Sequence, residues 1–494
     1  MKQKKMTWVK ESGFIFAMIG SAVGFANILA FSAKCYKNGG GAFLIPYAIA
    51  MIVIGIPMLF LEGAIGKNFG LPISGAYAKA VSSKWKFFGW LAALSCLTIG
   101  SFYSVLTGWS VAYTYFAATN VIPENSAHFF QHDFLKISDS ILVTNGVSLP
   151  IFFSTVIVAF FTWIVSSKNI SAGIEKVCAF FMPLLFILVT LFSLITLMLP
   201  GAWEGFGYYI KPDFSKLMDL SLWRDAFGQV FFSFSLGLGI VVGYARHTKK
   251  ETNMRRAMIS VAIGDTLISV ISGFAIFGCI GFMSNKTGVP FHEIVQSSST
   301  FEIGFIIFPQ ILHTFPAWVS PLVGTVFFFC VFIAGITGVF SIVESVAGNF
   351  EVEFKLNRKA AVLISVFIMW LLSTFFCMGN GVALLGAIEP MVMGYSLLIG
   401  AIAQIIAFMF IDKNLAHDPT FINSKQQTGW FYYIAKYLGL AFLIITLFGA
   451  LYNESQENFD ITHIVRWGWF AVVSFIALIL SSISTKKGQH YSAH

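Results

Sequence analysis

The residues able to do chemistry in this chain are few and sit in three places. In Gly20-Ser21-Ala22-Val23-Gly24-Phe25-Ala26-Asn27, two glycines bracket small residues and a lone amide follows, inside the apolar run from Gly13 to Gly41. In Gln229–Gly239, QVFFSFSLGLG, hydroxyls and glycines again interrupt an apolar run, and in AIGDTLISVISG a carboxylate, Asp265, does the same. Each unpaired backbone group in hydrocarbon costs several kcal/mol, so a broken helix persists only where it lines a cavity or holds an ion. Freed carbonyls and amides at mid-span are the raw materials of an ion or zwitterion site. An intramembrane carboxylate is expensive and by default functional.

Other chemistries lack their residues. The nine histidines show no metal-ligand spacing, and the six cysteines (Cys35, Cys96, Cys178, Cys279, Cys330, Cys377) have no CxxC pattern and read as buried small hydrophobes. There is no GxxxxGK loop, which argues against an ATP-driven pump, and no nucleophile–base arrangement that would mark an enzyme. With no cofactor motif, the expectation is that none is used beyond coupling ions.

The elements that must position these residues are membrane helices. The chain has 494 residues, 57% hydrophobic, 17% aromatic and 11% charged, and its mean hydropathy is +0.79, which no water-soluble domain of this length would carry. Continuous apolar runs of about 20 residues recur along it, as spanning helices require and alternating barrel strands do not. The reading is an all-α polytopic membrane protein of about twelve transmembrane helices, near 12–36, 41–66, 86–118, 149–167, 175–199, 222–245, 256–283, 318–350, 360–377, 384–411, 429–452 and 464–484. The segment 301–317, interrupted by Pro309 and Pro316, is expected to be a re-entrant or capping element rather than a thirteenth span. Most Lys and Arg then fall on one side, so the net charge of +8 marks cytoplasmic loops and both termini rather than a nucleic-acid partner. The basic run 246–250 reads as a solvated loop beside lipid headgroups. The first and sixth spans, both interrupted, each open a set of five, the pattern of paired repeats meeting at a midplane site. The expected divisions are 1–200 for the first repeat, 201–412 for the second, inverted repeat, and 413–494 for two accessory helices and a tail.

The motifs resemble a known family. Trp8, GSAVG at 20–24, Asn27, NGGGAFLIPY at 38–47, Gly55-Ile56-Pro57, Glu62 and Gly66 are similar to the opening of the neurotransmitter:sodium symporters, whose bacterial amino-acid transporters have the LeuT-type fold. The likeness continues at Met182-Pro183, Lys211–Phe214, GQVFFSFSLG at 228–237, Ser272–Phe274, Phe308-Pro309 and Ala334–Thr337, covering about spans one to ten. It implies sodium-coupled import of an amino acid or related amine by alternating access. It implies a substrate carboxylate at the amides around Phe25 and Ala26, touched by Tyr103. The ammonium would meet carbonyls near Ala22 and around Phe232, Ser233 and Ser235, under Phe232 as lid. Ser21, Ile99, Ser235, Leu238, Gly338 and Ile342 would line the side-chain end, an apolar lining that favours an uncharged hydrophobic amino acid. One sodium would use Ala22, Asn27, Ser233, Asp265 and the substrate carboxylate. A second would use carbonyls of Gly20, Val23 and Ala334 with the Thr337 hydroxyl, oxygen ligands suiting a hard cation.

Departures from the family pattern fall at the ion sites and gates. Asp265 stands where the family usually has asparagine, beside the positions Tyr47, Gln229, Ser233 and Ser269 that hold chloride in chloride-dependent members, so the expectation is transport without a chloride requirement. Gly338 follows Thr337 where a second oxygen ligand is usual. The outer-gate arginine is Ala30, Glu389 is the nearest candidate acid, and closure by Phe232 and Tyr103 packing is expected. At the inner gate Lys5 and Trp8 match, but the acid is Val352, with Glu351 and Glu353 as substitutes. Glu62 and Glu344 are expected to cap hydrogen-bond networks. The alternatives are a non-transporting amino-acid sensor and a proton-coupled transporter of a related amine. Compact loops and short tails point to a bacterial inner membrane, and the chain carries no signal for oligomeric state.

Overall fold

A computed structural model describes residues 6–138, 140–295, 301, 303–422 and 427–487. Apolar residues on all faces make these segments helices in which every interior backbone group is paired, the one open-chain solution in lipid. The bundle comprises α1 (Glu11–Ala22), α2 (Ala26–Lys37), α3 (Gly41–Phe69), α4 (Ser83–Ala118), α5 (Leu149–Ser166), α6 (Ile174–Leu197), α7 (Leu220–Ser233), α8 (Ile240–Ala245), α9 (Met254–Thr287), α10 (Ser320–Glu353), α11 (Arg358–Phe376), α12 (Gly381–Ile411), α13 (Trp430–Gln456) and α14 (Ile461–Lys487).

Among the described residues ten helices are long and apolar enough to cross a membrane, and α1 with α2, bent by 60°, makes an eleventh. The sixth expected span is the pair α7 and α8, too short singly, joined by residues 234–239. The apolar 301–317 segment is no span: its helical part, Ile303–Leu312, lays Phe305 against Trp109, Tyr113 and Phe130.

The core lies where α4 and α10 pack along most of their lengths, with α1, α6 and α8 against α10. The helices α5, α6, α11, α13 and α14 are mostly exposed along their flanks and face the lipid. One buried ion pair braces the core: Lys86 Nζ at the start of α4 lies 2.7 Å from Glu353 Oε2 at the end of α10, and Ser74 Oγ donates to the other oxygen at 3.1 Å.

Candidate functional site

Both interrupted spans break where the sequence is rich in small residues. At the first, α1 ends at Ala22, and Val23 is extended with φ −74° and ψ 120°. The Gly24 N–H donates to Asn27 Oδ1 at 2.9 Å, and the Gly24 carbonyl accepts from the amides of Asn27 and Ile28. The last carbonyls of α1 and the amides at Phe25 and Ala26 lie at helix ends, where four groups lack intrahelical partners. At the second break the chain turns through left-handed conformations at Ser235 (φ 50°), Gly237 (φ 85°) and Gly239 (φ 71°). Glu62 of α3 braces this turn, accepting from the Gly237 N–H at 2.6 Å, as its expected capping role requires.

The two breaks touch. Gln229 Nε2 of α7 donates to the Ala26 carbonyl at 2.8 Å, and Asn27 Nδ2 donates to Ser233 Oγ at 2.9 Å. Asn27 Nδ2 also donates to Asp265 Oδ1 at 2.7 Å and reaches Ser269 Oγ at 2.9 Å, while Ser233 Oγ donates to Asp265 Oδ1 at 2.7 Å. Asn27, Ser233, Asp265 and Ser269, from α2, α7 and α9, thus form one buried cluster. The donors Asn27 and Ser233 both meet Oδ1: among the described residues no donor stands in hydrogen-bond geometry at Asp265 Oδ2, whose polar neighbour is the Tyr47 hydroxyl. A carboxylate oxygen left bare in a dry interior is costly, and a cation supplies what it lacks. The donor set fits a hard, oxygen-preferring ion carried as co-substrate. The Asn27 carbonyl oxygen is turned to the Gly24 amide in this arrangement.

Of the residues expected at the second ion site, Gly20 and Thr337 come together. A Cβ on Gly20 would come within 3.1 Å of Thr337 Cβ, so α1 and α10 approach at backbone distance there. The Thr337 hydroxyl donates to Ile333 O at 3.0 Å or Ala334 O at 3.2 Å, leaving its oxygen lone pairs free. Val23 is fully buried at the end of α1.

Tyr103 of α4 packs against the first break. Its hydroxyl lies where a Cβ on residue 24 would stand, its ring meets Phe25 edge-on at 5.1 Å, and a Cβ on residue 338 would fall 3.0 Å from its ring. Glycine at both 24 and 338 is therefore what seats Tyr103 against the first break. Below it Ile342 reaches Gly100, next to Ile99, and Cys96 Sγ contacts the Leu238 carbonyl at 3.4 Å. Ile99, Leu238 and Ile342 are buried, and Ser21, Phe232 and Ser235 are half-buried. Ser233 belongs with Asp265 more closely than with these apolar residues.

Both gates depart from the sequence expectations. No ring contact joins Phe232 to Tyr103 among the described residues. Instead Lys34 Nζ lies 5.5 Å from the centre of the Phe232 ring, with Asp225 and Glu389 as the carboxylates whose charges act on it. Lys34 stands one helical turn beyond Ala30, on the same face. The sequence reading missed it, and that spacing from Ala30 was the available signal. Phe232 and Lys34 also border an outer cavity of about 670 Å³ walled by α7, α12 and α13.

At the opposite end Glu353 pairs with Lys86; Lys5, expected at the inner gate, lies outside the described residues. The acids there are Glu344 and Glu351. Arg246 Nη2 lies 2.8 Å from Glu344 and 3.0 Å from Glu351, and Arg358 lies 2.5 Å from Glu344 and 3.2 Å from Glu351. Glu344 is thus an ion-pair centre rather than a simple cap. His247 Nε2 reaches the same carboxylate at 2.9 Å, and burial with the neighbouring Arg246 holds its imidazole below the usual histidine value. Trp8 closes over this network, its indole N–H donating to the Tyr244 carbonyl at 3.0 Å. Glu175 fixes the segment from α6 by accepting from Val9 N at 2.9 Å and Lys10 N at 3.1 Å.

Comparison with known proteins agrees with this geometry. A family model described as the sodium:neurotransmitter symporter family matches residues 5–128 and 123–487. An uncharacterized sodium-dependent transporter of Methanocaldococcus jannaschii is 33% identical over 495 residues, covering 98% of this chain and 99% of the relative. The sodium-dependent dopamine transporter of Bos taurus is 26% identical over 523 residues, with 97% and 74% covered. The crystal structure of MhsT in complex with L-phenylalanine superposes with a TM-score of 0.76 at 26% identity, covering 90% of this chain and 100% of that one. Two broken helices meeting at a buried carboxylate, in an all-helical membrane bundle matched over nearly its whole length, place this chain in the sodium:neurotransmitter symporter family, as a sodium-coupled transporter and not an enzyme.

Proposed function

We propose that the protein imports an uncharged, hydrophobic amino acid with sodium by alternating access between two five-helix repeats, 1–200 and 201–412, with 413–494 as accessory helices. The observation that carries this reading is Tyr103 seated against Gly24 at the first break, above an apolar floor of Ile99, Leu238 and Ile342. A carboxylate belongs where a hydroxyl and the amides at a helix start converge, since both donate and the half-helix dipole is positive there. An apolar side chain then points to residues that offer no hydrogen bonds. The binding of L-phenylalanine by MhsT supports the same class. Carbonyls near Ala22, Phe232 and Ser235 take the ammonium, and the substrate carboxylate completes the sodium shell around Ala22, Asn27, Ser233 and Asp265.

Asp265 supports a second proposal, transport without chloride. Its carboxyl accepts from Ser233, shares Asn27 with Ser269 and neighbours Tyr47, and supplies the negative charge an anion would bring. The basic end, with both chain termini, is proposed to face the cytoplasm of a bacterial inner membrane.

The experiment is uptake of a labelled amino-acid mixture into proteoliposomes, with an inward sodium gradient against potassium, each with and without chloride. Sodium-driven uptake of apolar amino acids, indifferent to chloride, is the expected result. Loss of uptake without chloride would remove the role given to Asp265. Sodium-dependent binding without uptake would turn the reading to a sensor, and uptake driven only by a proton gradient to proton coupling.

A further inference from the structure

We propose that the groove between α5 and α6, at the end of the bundle holding the N-terminal segment, is a binding site for one phospholipid with an anionic headgroup. The groove has a volume of about 410 Å³ and is lined by Phe161, Val165, Lys168, Gly173, Lys176 and Phe180. Its composition is that of a lipid in section. Phe161, Val165 and Phe180 form an apolar wall along the helices, with Phe180 66% exposed, and two lysines stand at the helix ends. Lys168 and Lys176 are both exposed, and neither is ion-paired among the described residues.

The local acid does not neutralise them. Glu175, between the two lysines in the chain, is buried and turned inward, with its oxygens taken by the amides of Val9 and Lys10. The groove mouth therefore carries two uncompensated cations where the bundle meets the headgroup layer. Long lysine stems lie along apolar surface and present their ammonium groups at the interface. The amino end of α6 opens at Gly173 in the same groove and adds a partly positive terminus. A zwitterionic headgroup such as phosphatidylcholine would bring its own cation to these lysines, whereas phosphatidylglycerol brings a phosphate and no cation, so the site selects by charge. The occupant would brace the turn 167–173 just ahead of Glu175, which holds the N-terminal segment. The inference is independent of which substrate is carried.

Native mass spectrometry of the full chain released from detergent, titrated with dioleoyl-phosphatidylglycerol or dioleoyl-phosphatidylcholine, tests it. The first adduct should favour phosphatidylglycerol by about tenfold, as two interfacial lysines allow. Lys168→Gln with Lys176→Gln should abolish the preference, and Lys168→Arg with Lys176→Arg should keep it. Lys84→Gln with Lys355→Gln, removing two other exposed cations, should also keep it. Equal binding of the two lipids, or a preference that survives the glutamine pair, would overturn the proposal. Displacement of the lipid by millimolar inorganic phosphate would overturn it too, by reducing the site to one for a free anion.

Discussion

At residue scale the substrate reading turns on three side chains. One oxygen of the Asp265 carboxyl accepts from Asn27 and Ser233, and the other has only the Tyr47 hydroxyl as a polar neighbour, out of hydrogen-bond geometry, among the described residues. Asp265→Asn keeps the shape and removes the charge. We expect the variant to lose most uptake in chloride-free medium and to recover it when chloride is added, measured as sodium-driven uptake in chloride against gluconate. Tyr103→Phe removes one hydrogen bond to the substrate carboxylate, and apparent affinity should fall by about tenfold or more, since bonds to charged groups contribute roughly 1.5–3 kcal/mol. Gly24→Ala should weaken binding at least as much because its Cβ occupies the Tyr103 hydroxyl position. If affinity is unchanged in both, the carboxylate binds elsewhere. Lys34 covers the Phe232 lid at a distance typical of cation–π contact. In Lys34→Gln, bound substrate should dissociate several-fold faster, with little change in the variant's thermal stability. An unaltered dissociation rate would remove Lys34 from the lid.

At the scale of elements, the broken helices work because whole helices surround them. The α4–α10 pair supplies Tyr103 on one side and Thr337 with Gly338 on the other, and its far end is fixed by Lys86 and Glu353. That ion pair is nearly free of solvent, so losing one partner leaves an uncompensated charge in a dry interior. Lys86→Met alone should cost about 3–5 kcal/mol, whereas Lys86→Met with Glu353→Met should recover most of it. Thermal unfolding of the three proteins in one detergent gives the comparison. A double variant as unstable as the single would show that packing, and not charge, sets the cost. The same end of α10, on another face, and the turn after α8 hold the denser network of Arg246, His247, Glu344, Glu351 and Arg358 under Trp8. Its acids belong to helices of the bundle and not to the position where the family pattern has one, because Val352 leaves that position neutral.

At the scale of the whole molecule, the alternating access proposed above has the two ends of the substrate pathway open in turn. The structure has a fastening at each end: Lys34 with Phe232, Asp225 and Glu389 on one side, and the Trp8 segment with Glu175 and the Glu344 network on the other. They are built from different chemistry. The first is a single half-buried cation over an aromatic ring, the second a set of buried ion pairs and backbone hydrogen bonds. Buried ion pairs are screened by salt far less than exposed ones, so ionic strength should act weakly on the second end.

The sequence by itself determined the helical membrane class, the spans to within a few residues, the two breaks and the residues gathered at them. Those properties are local: apolar length sets a span, and glycine with small residues sets where it can break. Asp265 stood out for the same reason, as a lone charge in an apolar run. Only the tertiary structure decided partnerships. Nothing in the chain from Phe350 to Phe354 distinguishes Glu351 from Glu353, yet helical rotation turns one to Arg246 and Arg358 and the other to Lys86. Likewise Lys34 reads as an ordinary interfacial lysine until α2 is placed against α7 and its ammonium lies over Phe232. Contacts between residues hundreds of positions apart depend on how helices rotate and cross, which periodicity within one helix does not encode.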